Sequence, residues 1–287
     1  MRRSLTLAVL AATTLAAGAC APQDQANDAA SGSSGGGACT PSALDTLEPE
    51  TLTIATDEPA YEPWVVGDAP ESGEGFESAV AYAVAEELGY SKDQVTWTRV
   101  PFNAAIQPGA RPFDFDINQF SITDERKQAV DFSSPYYTVS QAVITTEGSA
   151  ADGAAGVADL KGLRIGAQVA TTSLQVLTDV IAPDAGPVVF NSNDDAKLAL
   201  QNGQVDAIVV DLPTAFFITA AELDNGVIVG QLKDSGDSGD QFGLLLEKGS
   251  PLTDCVSQAV DTLGENGTLA DLEKQWLSDV ADAPVLS

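Results

Sequence analysis

Histidine is absent from this 287-residue chain. Its absence removes the general base of Ser-His-Asp and Cys-His catalysis and the commonest zinc ligand, so an enzyme here would have to work with carboxylates, lysine or tyrosine. Cysteine is scarce as well. The three present, Cys20, Cys39 and Cys255, form no Cys-x-x-Cys pair, which argues against a dithiol redox motif. Basic residues number 13 against 42 acidic ones, for a net charge of −29. Such a chain is repelled by phosphate backbones, so no nucleic-acid partner is expected, and the charge reads as a solvated, aggregation-resistant surface. Hydrophobic residues make up 44% and the mean hydropathy is +0.02, ordinary values for a folded chain long enough for one or two domains.

Arg2 and Arg3 precede an apolar run, LTLAVLAATTLAA, too short for a comfortable membrane span, and LAAGAC closes it at Cys20. This end resembles the lipobox of a bacterial lipoprotein signal, although Ala17 stands three residues before the cysteine, where leucine is usual. The resemblance implies cleavage, a lipid on Cys20 and anchoring to the outer face of the cytoplasmic membrane; an ordinary secretory signal is the alternative. Residues 21–38, APQDQANDAASGSSGGGA, have nothing to bury and read as a flexible tether. A tether of that length spans about 20–25 Å. In an oxidising compartment the two remaining cysteines, Cys39 and Cys255, are most simply a disulfide that fastens the start of the folded part to a C-terminal helix, with two free buried thiols as the alternative.

From residue 49 strand and helix signals alternate. TLTIAT (51–56) is a β-rich run followed by the Pro-broken loop DEPAYEPW, and GFESAVAYAVAEELGY (75–90) carries apolar residues at helical spacing with Gly89 as a stop. QVTWTRV and FDFDINQF read as strands, after which DERKQAV is expected to start a helix that cannot pass Pro135. LRIGAQ (163–168) then restarts the pattern, followed by TTSLQVLTDVI and DDAKLALQNG as helices and QVDAIVV as a buried strand closing on Asp211. Two successive α/β units imply two lobes with parallel-rich sheets.

Ligands of open α/β sheets bind where strands end and helices begin. Arg126 lies just after the strand run NQFS, Thr171 and Thr172 open a helix, and Asp211 ends an apolar strand where a carboxylate is costly without a cation to meet. A guanidinium receives a carboxylate and a lone carboxylate receives an ammonium, so together they describe a socket for a zwitterion. Each has a plainer reading too: Arg126 as a surface partner of Asp124 or Glu125, the threonines as N-caps, Asp211 as the cap of PTAFFITAAEL.

FSITDERKQAVDFSSPYY, GFESAVAYAVAEELG, LKGLRIGAQVATTS, NGQVDAIVVD and NGTLADLEKQWL together resemble the family 3 extracellular solute-binding proteins, the polar amino-acid receptors of ABC importers, over residues 49–280. The resemblance implies an α/β, two-lobed type II periplasmic-binding-protein (Venus-flytrap) fold. Lobe 1 is expected over 41–138 and 241–287 and lobe 2 over 139–240, with two chain crossings. By matched position, Arg126 is expected to clamp the ligand α-carboxylate with help from Thr172 and Thr171, and Asp211 to hold the α-ammonium. Ser121 and the backbone near Asn118 and Gln119 add hydrogen bonds, while Tyr61 and Phe102 form an aromatic wall. Gln119 and the added Asp116 depart from the family pattern, and with Asn118 they are candidates for specificity, Asp116 being equally readable as a structural hydrogen-bonder. The implied partners are an amino acid, neutral polar or basic, and an ABC permease with its ATPase. The chain is expected to act as a monomer with no cofactor, no metal and no catalytic residue. The rival is an exported dehydratase-like enzyme on the same scaffold.

Overall fold

The β-rich run after residue 50 forms β1 (Leu52–Thr56) in a computed structural model that describes residues 39–232, 239–277 and 283–286. The expected signal ending at Cys20 and the tether over 21–38 lie outside the described residues. Helix α1 (Phe76–Glu87) follows, and its fully buried Phe76, Val80, Ala81 and Val84 recur at the three- and four-residue spacing that puts them on one face. Gly75 before it has a positive φ of 100°, and a Cβ there would lie 2.4 Å from the Trp64 carbonyl oxygen, so the loop can press against the helix start only through glycine. Then come β2 (Val95–Arg99), the short helix α2 (Phe102–Ala105), β3 (Phe115–Asp116) and β4 (Val130–Val139).

After one linking residue the chain enters a second sheet with β5 (Gln141–Thr146), followed by α3 (Val157–Leu160), β6 (Ile165–Gln168), α4 (Thr172–Val176), β7 (Val188–Phe190), α5 (Asn193–Gln201), β8 (Ala207–Asp211), α6 (Leu212–Phe217) and β9 (Gly226–Leu232). It returns with β10 (Asp240–Glu247), α7 (Thr253–Glu265) and α8 (Thr268–Trp276), and ends in β11 (Val285–Leu286). The first sheet has the order β2-β1-β3-β10-β4 and the second β11-β9-β5-β8-β6-β7. Both are mixed: β1 pairs in parallel with β2 and β3, and β6 with β7 and β8, while β10 and β5 run antiparallel to their neighbours. The first lobe's core gathers Trp64, Phe76, Phe115 and Phe242 between sheet and helices, and the second lobe fills both faces of its sheet with residues such as Val143, Val209, Ile144 and Ile208.

Two sequence expectations are corrected. The helix expected from DERKQAV is one 3-10 turn, Arg126–Gln128, after which β4 runs straight through Pro135. Pro135 is tolerated because its partner strand slips register on either side of Gly243, leaving an irregularity where the missing N–H costs little. The assignment of 241–287 wholly to lobe 1 also fails at its end. Val285–Leu286 pair in parallel with Gln231–Leu232 on the second sheet, so the chain passes between the sheets a third time. A two-residue strand carries too little periodicity to be read from sequence. Its seat depends on Gly230, where a Cβ would meet the Pro284 carbonyl oxygen at 2.6 Å and Leu286 at 2.8 Å.

Cys39 and Cys255 form a disulfide that pins the start of the described chain to α7 across 216 residues of sequence. Replacing both with serine is expected to lower unfolding stability by about 2–5 kcal/mol, read as an earlier urea midpoint. Gly230→Ala is expected to unseat β11, so that amides at Val285 and Leu286 exchange faster while those of β5 keep their protection.

Candidate functional site

The strands of both sheets lead to a shared cleft with a free cavity of about 30 Å³, lined from the first lobe by Asp57, Tyr61, Phe102, Asn118, Gln119 and Arg126, and from the second by Gln168, Thr171, Thr172, Ser173, Asn193 and Asp211. Of the nine ligand-contact residues expected from sequence, eight line this cavity. The ninth, Ser121, sits one layer behind, with its hydroxyl 3.1 Å from that of Thr172.

Arg126 is not a surface residue. It is 9% exposed, while the neighbouring Lys127 takes Asp124 as its partner. Its guanidinium donates to the Ser121 carbonyl at 2.8 Å and, across the cleft, to the Ala170 carbonyl at 2.9 Å. It lies over the Phe102 ring, 5.4 Å from the centroid, and Phe102 in turn stacks on Phe120 at 4.8 Å. Burial lowers its pKa, and the carboxylates of Asp240, Asp211 and Glu125 oppose that. Arginine keeps its proton regardless, so the cleft holds a fixed positive charge anchored to both lobes.

Thr171 is the N-cap of α4. Its hydroxyl accepts from the Leu174 N–H at 3.1 Å and donates to the Gln168 carbonyl, so it serves the helix while facing the cavity. Asp211 makes no cap hydrogen bond to α6. Instead it accepts from the Gln141 side-chain amide at 2.7 Å, and Gln141 is itself held by the Ser173 hydroxyl at 2.6 Å. Burial pushes the Asp211 carboxyl up to about 7, with Asp240 and Glu77 adding to the rise and Gln141 and Arg126 opposing it. A carboxylate in that condition is one that a cation would return to its ionised form.

Sequence reading missed four lining residues, Asp57, Gln168, Ser173 and Asn193, and two that stand behind the cleft, Gln141 and Glu77. Asp57 follows β1 and lines the cavity, and burial raises its pKa. The signal for it was the strand-end rule already applied to Arg126 and Asp211. Gln141, the first residue of β5, and the fully buried Glu77 of α1 orient residues of the site, and nothing local in the sequence marks them. Glu77 accepts from the Gln119 backbone N–H at 2.7 Å, from the Gln119 side chain and from the Tyr136 hydroxyl, and burial pushes its carboxyl up to about 7. Asp116 does not line the cavity. It is fully buried, and burial, with Glu77 and Asp57 nearby, raises its carboxyl well above the usual range against the opposing pull of Arg111 and the Ile117 backbone.

The lobes touch across the cleft at further points, including a 2.9 Å hydrogen bond from the Trp64 indole to the Thr214 hydroxyl. Charge of both signs therefore converges from the two sheets' lobes on one polar space, the geometry of a ligand-binding cleft.

Comparison with known proteins agrees. The L-arginine-binding protein of Pseudomonas aeruginosa is 29% identical over 239 residues, covering 79% of this chain and 90% of that protein. An ancestral arginine-binding protein solved with arginine superposes with a TM-score of 0.63 at 29% identity, over 79% of this chain and 97% of the other. The ancestral amino acid-binding protein AncCDT-1, described as a precursor of cyclohexadienyl dehydratase, gives a TM-score of 0.64 at 28% identity, over 79% and 94% of the two chains. These likenesses establish the two-lobed type II fold. Residues 52–279 match the model of one family from end to end of the α/β body, and the chain belongs to the bacterial extracellular solute-binding proteins, family 3.

Proposed function

We propose that this protein is an extracytoplasmic receptor that closes its lobes around a free amino acid with a basic side chain and delivers it to an ABC importer. The observation that carries the reading is the opposed pair in one cavity: Arg126 on the first lobe and Asp211 on the second. Arg126 receives the ligand α-carboxylate, with the Thr172 hydroxyl adding a donor, and Asp211 receives the α-ammonium. Tyr61 and Phe102 flank the aliphatic part of the ligand. Asp57, which lines the same cavity, is the acceptor available to a cationic side-chain end. Because the contacts come from both lobes, the ligand binds the closed form better, and that difference is what drives closure. The arginine-binding relatives support the same side-chain class. In this reading the protein is exported, held by a lipid on Cys20 and a slack tether, and works as a monomer beside a permease.

A second reading, an exported dehydratase-like enzyme on the same scaffold, draws on the likeness to the precursor of cyclohexadienyl dehydratase, and the binding-protein relatives weigh against it. Turnover separates the two: a receptor returns its amino acid unchanged after overnight incubation, as read by mass spectrometry.

In a thermal-shift screen of the full-length protein against the common amino acids, arginine, lysine and ornithine are expected to raise the melting temperature most, with glutamine weaker. Arg126→Ala and Asp211→Asn each lose a charge-assisted bond and are expected to weaken binding by about 10- to 100-fold, whereas Asp57→Asn weakens basic ligands and spares glutamine. Absence of any shift with α-amino acids would remove the zwitterion reading.

Affinity is also expected to depend on pH. The unliganded Asp211 carboxyl sits at about 7, and an ammonium beside it favours the ionised form, so binding releases a proton and weakens as pH falls below 7, by up to about tenfold per unit. Calorimetry in buffers of different ionisation enthalpy between pH 8 and 5.5 measures both effects, and an unchanged affinity would take Asp211 out of the ammonium role. The unliganded protein follows the opposite sign. Carboxyls raised on folding stabilise it below about pH 4, and that contribution is lost as pH rises towards 7.

A further inference from the structure

Gln119 presents the floor of the cleft in a conformation that glutamine seldom adopts, with φ at +46°. In that left-handed region a side chain crowds its own backbone, so an unsupported Gln119 would relax to a negative φ and turn its N–H and side chain elsewhere. Its support comes from Glu77, in the first turn of α1 and fully shielded from solvent. One carboxylate oxygen of Glu77 accepts the Gln119 N–H at 2.7 Å and also the Tyr136 hydroxyl, and the other accepts the Gln119 side-chain amide. A buried carboxyl at a core-facing helix position is expensive, and an apolar residue would pack there more cheaply. What the carboxylate provides is two acceptor oxygens at the right reach to grip backbone and side chain of one residue together. Tyr136 lies on β4, three residues before that strand ends at Val139 and the chain crosses to β5, so the same carboxylate joins the floor to a strand leading to the second lobe. Ser121, two residues beyond Gln119, supplies the carbonyl that fixes Arg126.

We propose that Glu77 is a positioning residue that holds Gln119 in its left-handed conformation and thereby sets the cleft floor for ligand, without itself touching ligand. The proposal rests on the amino-acid-receptor reading for its affinity readout and on ligand-free exchange for a readout that does not need it.

The test compares two conservative variants of the full-length protein, one that shortens the reach and one that removes the charge. Glu77→Asp keeps the charge but withdraws the carboxylate by one methylene. Glu77→Gln keeps the reach, retains an oxygen for the Gln119 N–H and the Tyr136 hydroxyl, and lets the Gln119 amide turn to accept from the new NH₂. Glu77→Asp is expected to weaken binding of both L-arginine and L-glutamine by about tenfold, and to speed amide exchange at Gln119 in the ligand-free protein by a similar factor. Glu77→Gln is expected to stay within about threefold of wild type in both measurements. Glycine adopts a positive φ freely, so in a Gln119→Gly background the further change Glu77→Asp should cost less than about threefold in affinity. Unchanged exchange at Gln119 in Glu77→Asp overturns the proposal, as does a binding loss that persists undiminished in the Gln119→Gly background, since Glu77 would then act on the fold at large. If the wild-type protein binds neither amino acid, the receptor reading falls, and exchange at Gln119 alone decides the role of Glu77.

Discussion

A guanidinium buried between two lobes has to be satisfied from both. Arg126 gives one hydrogen bond to a carbonyl of its own lobe, at Ser121, and one to a carbonyl of the other, at Ala170, while its flat face rests on Phe102. Two carbonyl contacts leave a five-donor group with capacity for an anion, and neither carbonyl carries the charge that would neutralise it. Much of the surrounding architecture follows from holding that cation still. The strand-end loop 117–121 is pinned by Glu77, the aromatic pair Phe102–Phe120 supports the ring face, and Thr172 meets Ser121 across the gap. Displacing any of them would leave a charge in a low-dielectric space with its partners out of reach.

Around this cation the chain has arranged carboxyls. Asp57, Glu77, Asp116 and Asp211 all have their pKa raised chiefly by burial. Asp57 and Asp211 line the cleft, while Glu77 and Asp116 lie buried behind it. A cation beside a carboxyl whose pKa is raised by burial favours its ionised form. The acidic exterior favours cations too, at longer range, within the screening distance of the medium.

The fold and much of the cleft could be read from the sequence because their signals are local. Strand runs such as TLTIAT, the apolar spacing of α1, and the placement of Thr172 after β6 and of Asp211 at the end of β8 each need only a few neighbouring residues to interpret. What stayed hidden depends on contacts distant in sequence. Glu77 reads as one more acid in an acidic chain until the fold brings Gln119, 42 residues away, and Tyr136, 59 residues away, onto its oxygens. Gln141 reads as an ordinary polar residue until Asp211, 70 positions on, is paired beside it. The run after Arg126 misled for a physical reason: DERKQAV has good helix formers, but β10 supplies a partner that turns VDFSSPYYTV into a strand, and tertiary pairing outweighs propensity.

The third passage between the sheets places the two ends of the described chain on different bodies. Cys39 is bound to α7 of the first lobe, while Leu286 is paired to β9 in the second. End-to-end separation is therefore a mechanical coordinate of the molecule, coupled to the angle between the lobes instead of being fixed within one of them. A donor and an acceptor fluorophore attached at these ends would ride on opposite jaws, so the polypeptide is already laid out as a single-chain optical gauge of its own closure.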